Sequence, residues 1–284
     1  MFKILNCLSN LVLMLVSAGV AAQAVPTYPK SETTNIFAST DTVSTWTEIA
    51  AQDYLIPNSQ VFVTGQGSDG AKYFGLLGVA INRSQNESAT GPAADSLRLT
   101  FSSTLTQALN VAISLRPPVP KFNIVGVAEA AQLRLLPSAK LTVSDDNSAR
   151  LSFRLTVRFI DAAINSETKK EYYYYHGGSR KLAGPDSWSD DHASPVMRSS
   201  EQAMALLADV LLDDITGAFS DAFDPAKQRF VNYSAVGSKG IVARALLLKE
   251  YPDHLALAPL FRERPTRAII VILERRSIEL QSIQ

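Results

Sequence analysis

Three histidines and a short acidic loop are the residues of this chain best equipped for chemistry. His176 closes a run of tyrosines, His192 follows Asp190 and Asp191, and His254 follows Asp253. Imidazole and carboxylate together bind divalent transition metals. Asp190, Asp191, His192 and His176 could therefore form a centre if their loop folded back. The spacing argues otherwise: no ligand pair sits at helical spacing, and His-Glu-x-x-His is absent. The preferred reading is a polar loop beside a strand end, with no metal, no cofactor and no assigned catalytic residue.

Nucleophilic catalysis has as little support. Gly-x-Ser-x-Gly does not occur, and the phrases Gly177-Gly178-Ser179 and Gly237-Ser238-Lys239-Gly240 match neither a nucleophile elbow nor a phosphate loop. Paired carboxylates stay open, because such acids need not be close in sequence. A hydrolase using carboxylates or His176 and His192 is thus the alternative to a binding role. For binding, Trp188 in its Asp/Ser-rich loop is the most informative residue. It is either a peg closing the core, which is preferred, or a contact for a ligand. The sharper version places Trp188 with Tyr173 and Tyr175, near His176 and His192, on an exposed aromatic surface for a peptide or glycan.

The elements that would position these residues are legible in part. Leu151, Phe153, Leu155, Val157 and Phe159 alternate with polar residues, which is the period of a half-buried antiparallel strand. The tyrosine run at 172–175 returns beside it as a second strand. Ser199 and Gln202 form a capping-box pair, opening a helix whose apolar face is Ala203, Leu206, Leu207, Val210, Leu211 and Ile215. Asp209, Asp213 and Asp214 are expected to point away from that face. Short strands are expected at 54–56 and 60–64 around Pro57-Asn58, and at 132–136 and 140–144. Residues 72–84 fit a helix or a buried strand, 86–95 a polar loop, and 97–115 a strand-like start that becomes helical. The β-branched run 268–273 reads as a buried strand, while 240–251 is helix or strand.

The chain begins with Lys3, an apolar stretch from Leu8 to Val20, and the small-x-small tripeptide Ala22-Gln23-Ala24. That order defines a cleavable export signal over residues 1–24. Its apolar core is shorter than the ~20 residues a spanning helix needs, so no membrane-spanning segment is expected after cleavage. Val20 stands where a lipidated cysteine would be, and Cys7, the sole cysteine, lies too early to serve. The mature chain is expected to be periplasmic or secreted and free of disulfides. A flexible leader is expected over 25–45, a main domain over 46–224, and over 225–284 a segment packed on it or a small subdomain. Basic and acidic residues number 27 each, so no long-range field draws in nucleic acid or an anionic membrane. Local patches remain: Arg262, Arg264, Arg267, Arg275 and Arg276 face only Glu263, Glu274 and Glu279 in sequence. They read as a solvated surface, with a docking face as the alternative.

Two stretches resemble a known group. The glycine-containing apolar element at 73–82 and the succession from 151–159 through the tyrosine strand and Trp188 loop to the helix at 199–215 are similar to uncharacterised Gram-negative envelope proteins, many of them lipoproteins. The resemblance implies an α+β envelope protein without a known activity, a small sheet backed by helices. The alternation at 151–159 and the run at 268–273 add that the sheet is mainly antiparallel and that a C-terminal extension contains a buried strand. Together with the export signal, the neutral charge and the missing catalytic motifs, the resemblance leads to the expectation of a binding, accessory or assembly role, with partners among envelope proteins or outer-membrane components. It carries over no functional residues.

Overall fold

The computed structural model describes residues 32–46, 50–51, 53–65, 76–144, 148–161, 166–235 and 242–281. The export signal at 1–24 lies outside them, as do residues 73–75 of the glycine-containing element.

The alternating segment and the tyrosine run do form a hairpin, longer than their patterns announce: β6 spans Ser148–Asp161 and β7 spans Ser166–Lys181. Among the described residues, this hairpin belongs to a sheet of 13 strands. The others are β1 (Thr33–Ala38), β2 (Tyr54–Leu55), β3 (Val61–Gly65), β4 (Lys121–Ile124), β5 (Leu133–Val143), β8 (Phe230–Ala235), β9 (Ala243–Glu250), β10 (His254–Phe261), β11 (Arg264–Pro265), β12 (Ile269–Glu274) and β13 (Ile278–Gln281). Their order is β13-β8-β9-β10-β12-β7-β6-β5-β1-β4, with β3 also on β5, β2 on β3 and β11 on β10.

The expected small, mainly antiparallel sheet is therefore wrong in size and in sense. Parallel pairs join β1 to β4 and β5, β3 to β5, and β12 to β7. The reason is physical: alternation reports which face a strand buries, not which strand lies beside it. The run at 268–273 is indeed a buried strand, but it pairs with the tyrosine strand and so carries the one sheet onward from β7. At the other end of the chain, the expected leader contains β1, which sits between β4 and β5 with Ile36 fully buried.

Pro137 explains why 132–144 looks like two strands. β5 pairs along one side with β1 as far as Leu135, then with β3 from Ala139. Pro137 falls in the gap between them, where a missing N–H leaves no ladder bond unmade.

Three helices occur among the described residues: α1 (Leu76–Thr90), α2 (Ser102–Ser114) and α3 (Asp190–Ile215). The polar stretch 86–95 is the end of α1 and a 3-10 turn, not a loop. Leu97 and Phe101 are not in a strand, yet both are fully buried. The capping box at Ser199 is also corrected. Ser199 lies inside α3, its hydroxyl donating to the Pro195 carbonyl at 2.9 Å. The right-handed run begins near Pro195, after left-handed Asp191, His192 and Ala193.

Leu105 and Leu109 of α2 and Ala203, Leu207 and Leu211 of α3 form one apolar core with Phe153, Leu155, Tyr172 and Tyr174 of the hairpin. Phe101 meets Phe153 edge-on at 5.6 Å. The other face of the sheet has its own apolar cluster, built on Leu255, Leu257, Val271 and Leu273, with Tyr173 and Tyr175 against it. Successive strand residues point to opposite faces, so the tyrosine run is divided between the two.

Candidate functional site

The ladder between the parallel strands β7 and β12 stops at Tyr175, beside the start of β10, while β7 itself runs on to Lys181 against β6. Leu273 pairs with Tyr175, and Glu274 pairs with His254. This register gathers Tyr174, His176, Glu274 and His254 where β12 ends and β10 begins, and the loop before α3 brings Trp188 against His176.

Glu274 is the centre of the group. Its side chain is 3% exposed. Tyr174 donates its hydroxyl to Oε1 at 2.5 Å, and Arg276 donates Nε–H to Oε2 at 2.6 Å. Burial opposes ionisation of this carboxyl, but the Arg276 and Tyr174 hydrogen bonds outweigh it and hold its pKa below the usual carboxylate range. Burial, reinforced by Glu274, pushes the Tyr174 phenol well above its ordinary pKa, so it stays a donor. The His254 ring lies 5.7 Å from the Tyr174 ring. Burial lowers its pKa and keeps it neutral near pH 7, and its buried Nε2 has no hydrogen-bond partner among the described residues. Backbone passes close by: a Cβ on Gly177 would lie 3.1 Å from Glu274 Oε2 and 3.1 Å from Ser277 Cβ.

His176 and Trp188 meet edge-on at 5.5 Å. Nδ1 of His176 accepts the Gly178 N–H at 3.0 Å, which fixes that nitrogen as the unprotonated one. Trp188 is 1% exposed, donates Nε1–H to the Ala149 carbonyl at 2.7 Å, and carries Arg180 over its ring. It is a core peg.

The aromatic surface imagined from the sequence is not assembled. Trp188 packs in the helix-side core, whereas Tyr173 and Tyr175 stack on each other at 6.3 Å on the opposite face. Tyr173 donates to Glu171 at 2.6 Å. His192 is exposed with φ 54°, and Asp190 accepts the Asp186 N–H at 2.8 Å instead of facing a histidine. Among the described residues, no three His, Cys, Asp or Glu side chains converge as metal ligands would.

The acids at the end of α3 are where the sequence reading failed. Asp213 and Asp214 were expected to point away from the apolar face; both are 9% exposed. Asp213 accepts from Arg116 at 2.9 Å, Lys249 at 2.6 Å and Tyr251 at 2.9 Å. Asp214 takes Lys170 and the Tyr172 hydroxyl on the same oxygen. A signal was present. Asp214 follows Val210 by four positions and Leu211 by three, so it belongs to the buried stripe. These bonds tie α3 to the turn that follows α2, to β7 and to β9.

The site thus holds an ionised carboxylate, a permanent phenol donor and a neutral imidazole in fixed geometry. Its charged and polar groups are joined chiefly to one another.

No family model matches the chain, and no curated protein matches it. Among solved structures it is similar to a "putative lipoprotein" from Caulobacter crescentus CB15, at 15% identity over 40% of this chain and 79% of that one, with a TM-score of 0.23. A likeness this slight leaves the fold and role to be argued from the residues themselves.

Proposed function

We propose that the chain is an exported protein of the bacterial envelope that acts by binding, as an accessory or assembly factor. The export signal read at residues 1–24 supports the location. The observation that carries the binding role is the use of the buried acids: Glu274, Asp213 and Asp214 each spend their oxygens on neighbouring strands or helices. They act as fasteners of a large sheet, and a rigid sheet with loops at its ends is a platform for contact.

Fractionation of cells expressing the tagged chain, followed by crosslinking in the intact envelope, tests this. The expected result is an envelope-localised chain, shortened at its N-terminus, crosslinked to the same envelope component in repeated trials. Recovery in the cytosol at full length, or no reproducible crosslink at native expression, would overturn it.

A further inference from the structure

The arginines at the two ends of the C-terminal strands are treated differently. At one end, Arg275 and Arg229 both reach Glu250, at 2.8 and 3.2 Å, and Arg276 reaches Glu274 at 2.6 Å. At the other end stand Arg244 in β9, Arg262 and Arg264 around the β10–β11 turn, and Arg267 in the link between β11 and β12. None of these four meets a carboxylate within salt-bridge distance among the described residues. Three lie over phenylalanine rings instead: Arg244 at 4.7 Å from Phe230, Arg262 at 5.4 Å from Phe261 and Arg267 at 4.3 Å from Phe223.

Register gathers them. Ala245 pairs with Pro259, so Arg244 lies beside Leu260, and the 264–265 return strand pairs with Leu260 and Phe261. Neighbouring strands are about 5 Å apart, so the group occupies a single small surface. The turn is held by Arg262 and Glu263 at φ 48° and 66°, the left-handed pair that a two-residue hairpin requires and that glycine or asparagine normally supplies. Two long charged side chains in that position project outward. Val242, 47% exposed, adjoins Arg244's strand.

We infer that this end of the sheet docks on an anionic phospholipid surface, the arginines contacting headgroup phosphates. Excess positive charge supplies the complementarity. Guanidinium groups on half-buried phenylalanine faces beside exposed Val242 match the boundary between headgroup and acyl chain. An acidic polymer in water would need the charge but not the apolar partners. The choice of a lipid surface rests on the export reading above.

Sedimentation with vesicles tests it, using the full chain recovered from the cells that export it. Mass analysis of its N-terminus reports separately whether the export signal was removed, so failure of export is not confused with failure of docking. Vesicles of equal parts phosphatidylglycerol and phosphatidylcholine should bind the chain at least about tenfold better than phosphatidylcholine alone, and raised salt should erase the difference. Arg262→Gln with Arg264→Gln should weaken the anionic binding about 25-fold, roughly fivefold for each charge. Both side chains are exposed, so the thermal midpoint should not move. Arg229→Gln with Arg275→Gln, at the opposite end, should leave vesicle binding unchanged. Equal partition onto both vesicle types, equal weakening by the two pairs of substitutions, or binding to polyglutamate but not to vesicles would each overturn the proposal.

Discussion

Asp214→Asn removes the charge that faces Lys170 while preserving shape. In the native chain the two side chains are 9% and 3% exposed, and Tyr172 donates to the same carboxylate oxygen at 2.5 Å. Burial pushes the Lys170 amine below its ordinary pKa, Asp214 pulls it back up, and Arg267 adds to the depression. Loss of Asp214 leaves a buried ammonium without its counter-charge. Breaking such a pair costs about 3–5 kcal/mol. At roughly 3 °C per kcal/mol for a chain of this size, the thermal midpoint should fall by about 10 °C. The sign of the pH effect follows from the direction of the shift. The folded pKa of Lys170 falls further below its unfolded value near 10.4, so the lost stability returns as pH rises toward that value. Replacing both partners, Lys170→Met with Asp214→Leu, should recover part of that loss, because no charge is then left buried and the remaining deficit, about 1–3 kcal/mol, is that of the Tyr172 hydroxyl without its acceptor. Urea unfolding followed by circular dichroism at pH 7 and pH 9 measures all of this. A single variant within about 1 kcal/mol of native, or a double variant less stable than the single, would refute the account of Asp214 as a fastener.

Trp188→Ala should cost about 3–5 kcal/mol, as expected for emptying a fully buried aromatic site, whereas Tyr173→Phe should cost only about 1 kcal/mol for its one hydrogen bond to Glu171. Equal effects would mean that the peg is not in the core. Asp213 also has a depressed pKa: burial opposes ionisation, but hydrogen bonds from Lys249, Tyr251 and Arg116 outweigh it. Its stabilisation is therefore complete above the unfolded carboxyl value near 4 and is lost as pH falls through the lower folded value. Asp213→Asn should flatten the fall in urea midpoint below about pH 4, and an unchanged acid profile would count against the network.

Residues with a clean period reveal their elements. Leu151 to Phe159 gives a strand because five apolar residues share one face, and the β-branched run at 268–273 gives another because both of its faces are buried. Partners are hidden, since the same alternation suits a parallel or an antiparallel neighbour. β5 reads as two short strands because the place of Pro137, in the gap between β1 and β3, is a property of other segments. Asp213 and Asp214 were misplaced by polarity although their spacing was correct. Charge outweighed position, and the compensating Lys170, Arg116 and Lys249 lie dozens of residues away. Of the candidate site, the His176–Trp188 contact joins two residues singled out in advance, while Glu274 and His254 meet only through the register of β10 on β12. The arginine cluster was visible as a count. Its division into paired and unpaired ends was not, because that depends on which end of a strand each residue occupies.

The parallel seam between β7 and β12 joins residues about a hundred positions apart. A chain emerging from its N-terminus completes the β6–β7 hairpin early, and the outer side of β7 then stays open until residue 274 arrives. Throughout that interval the tyrosine strand is a template of unpaired N–H and C=O groups, available to any other nascent chain. Closing a loop of that length is slow relative to hairpin formation. A chaperone that holds this edge would therefore act on a timing problem written into the order of the strands.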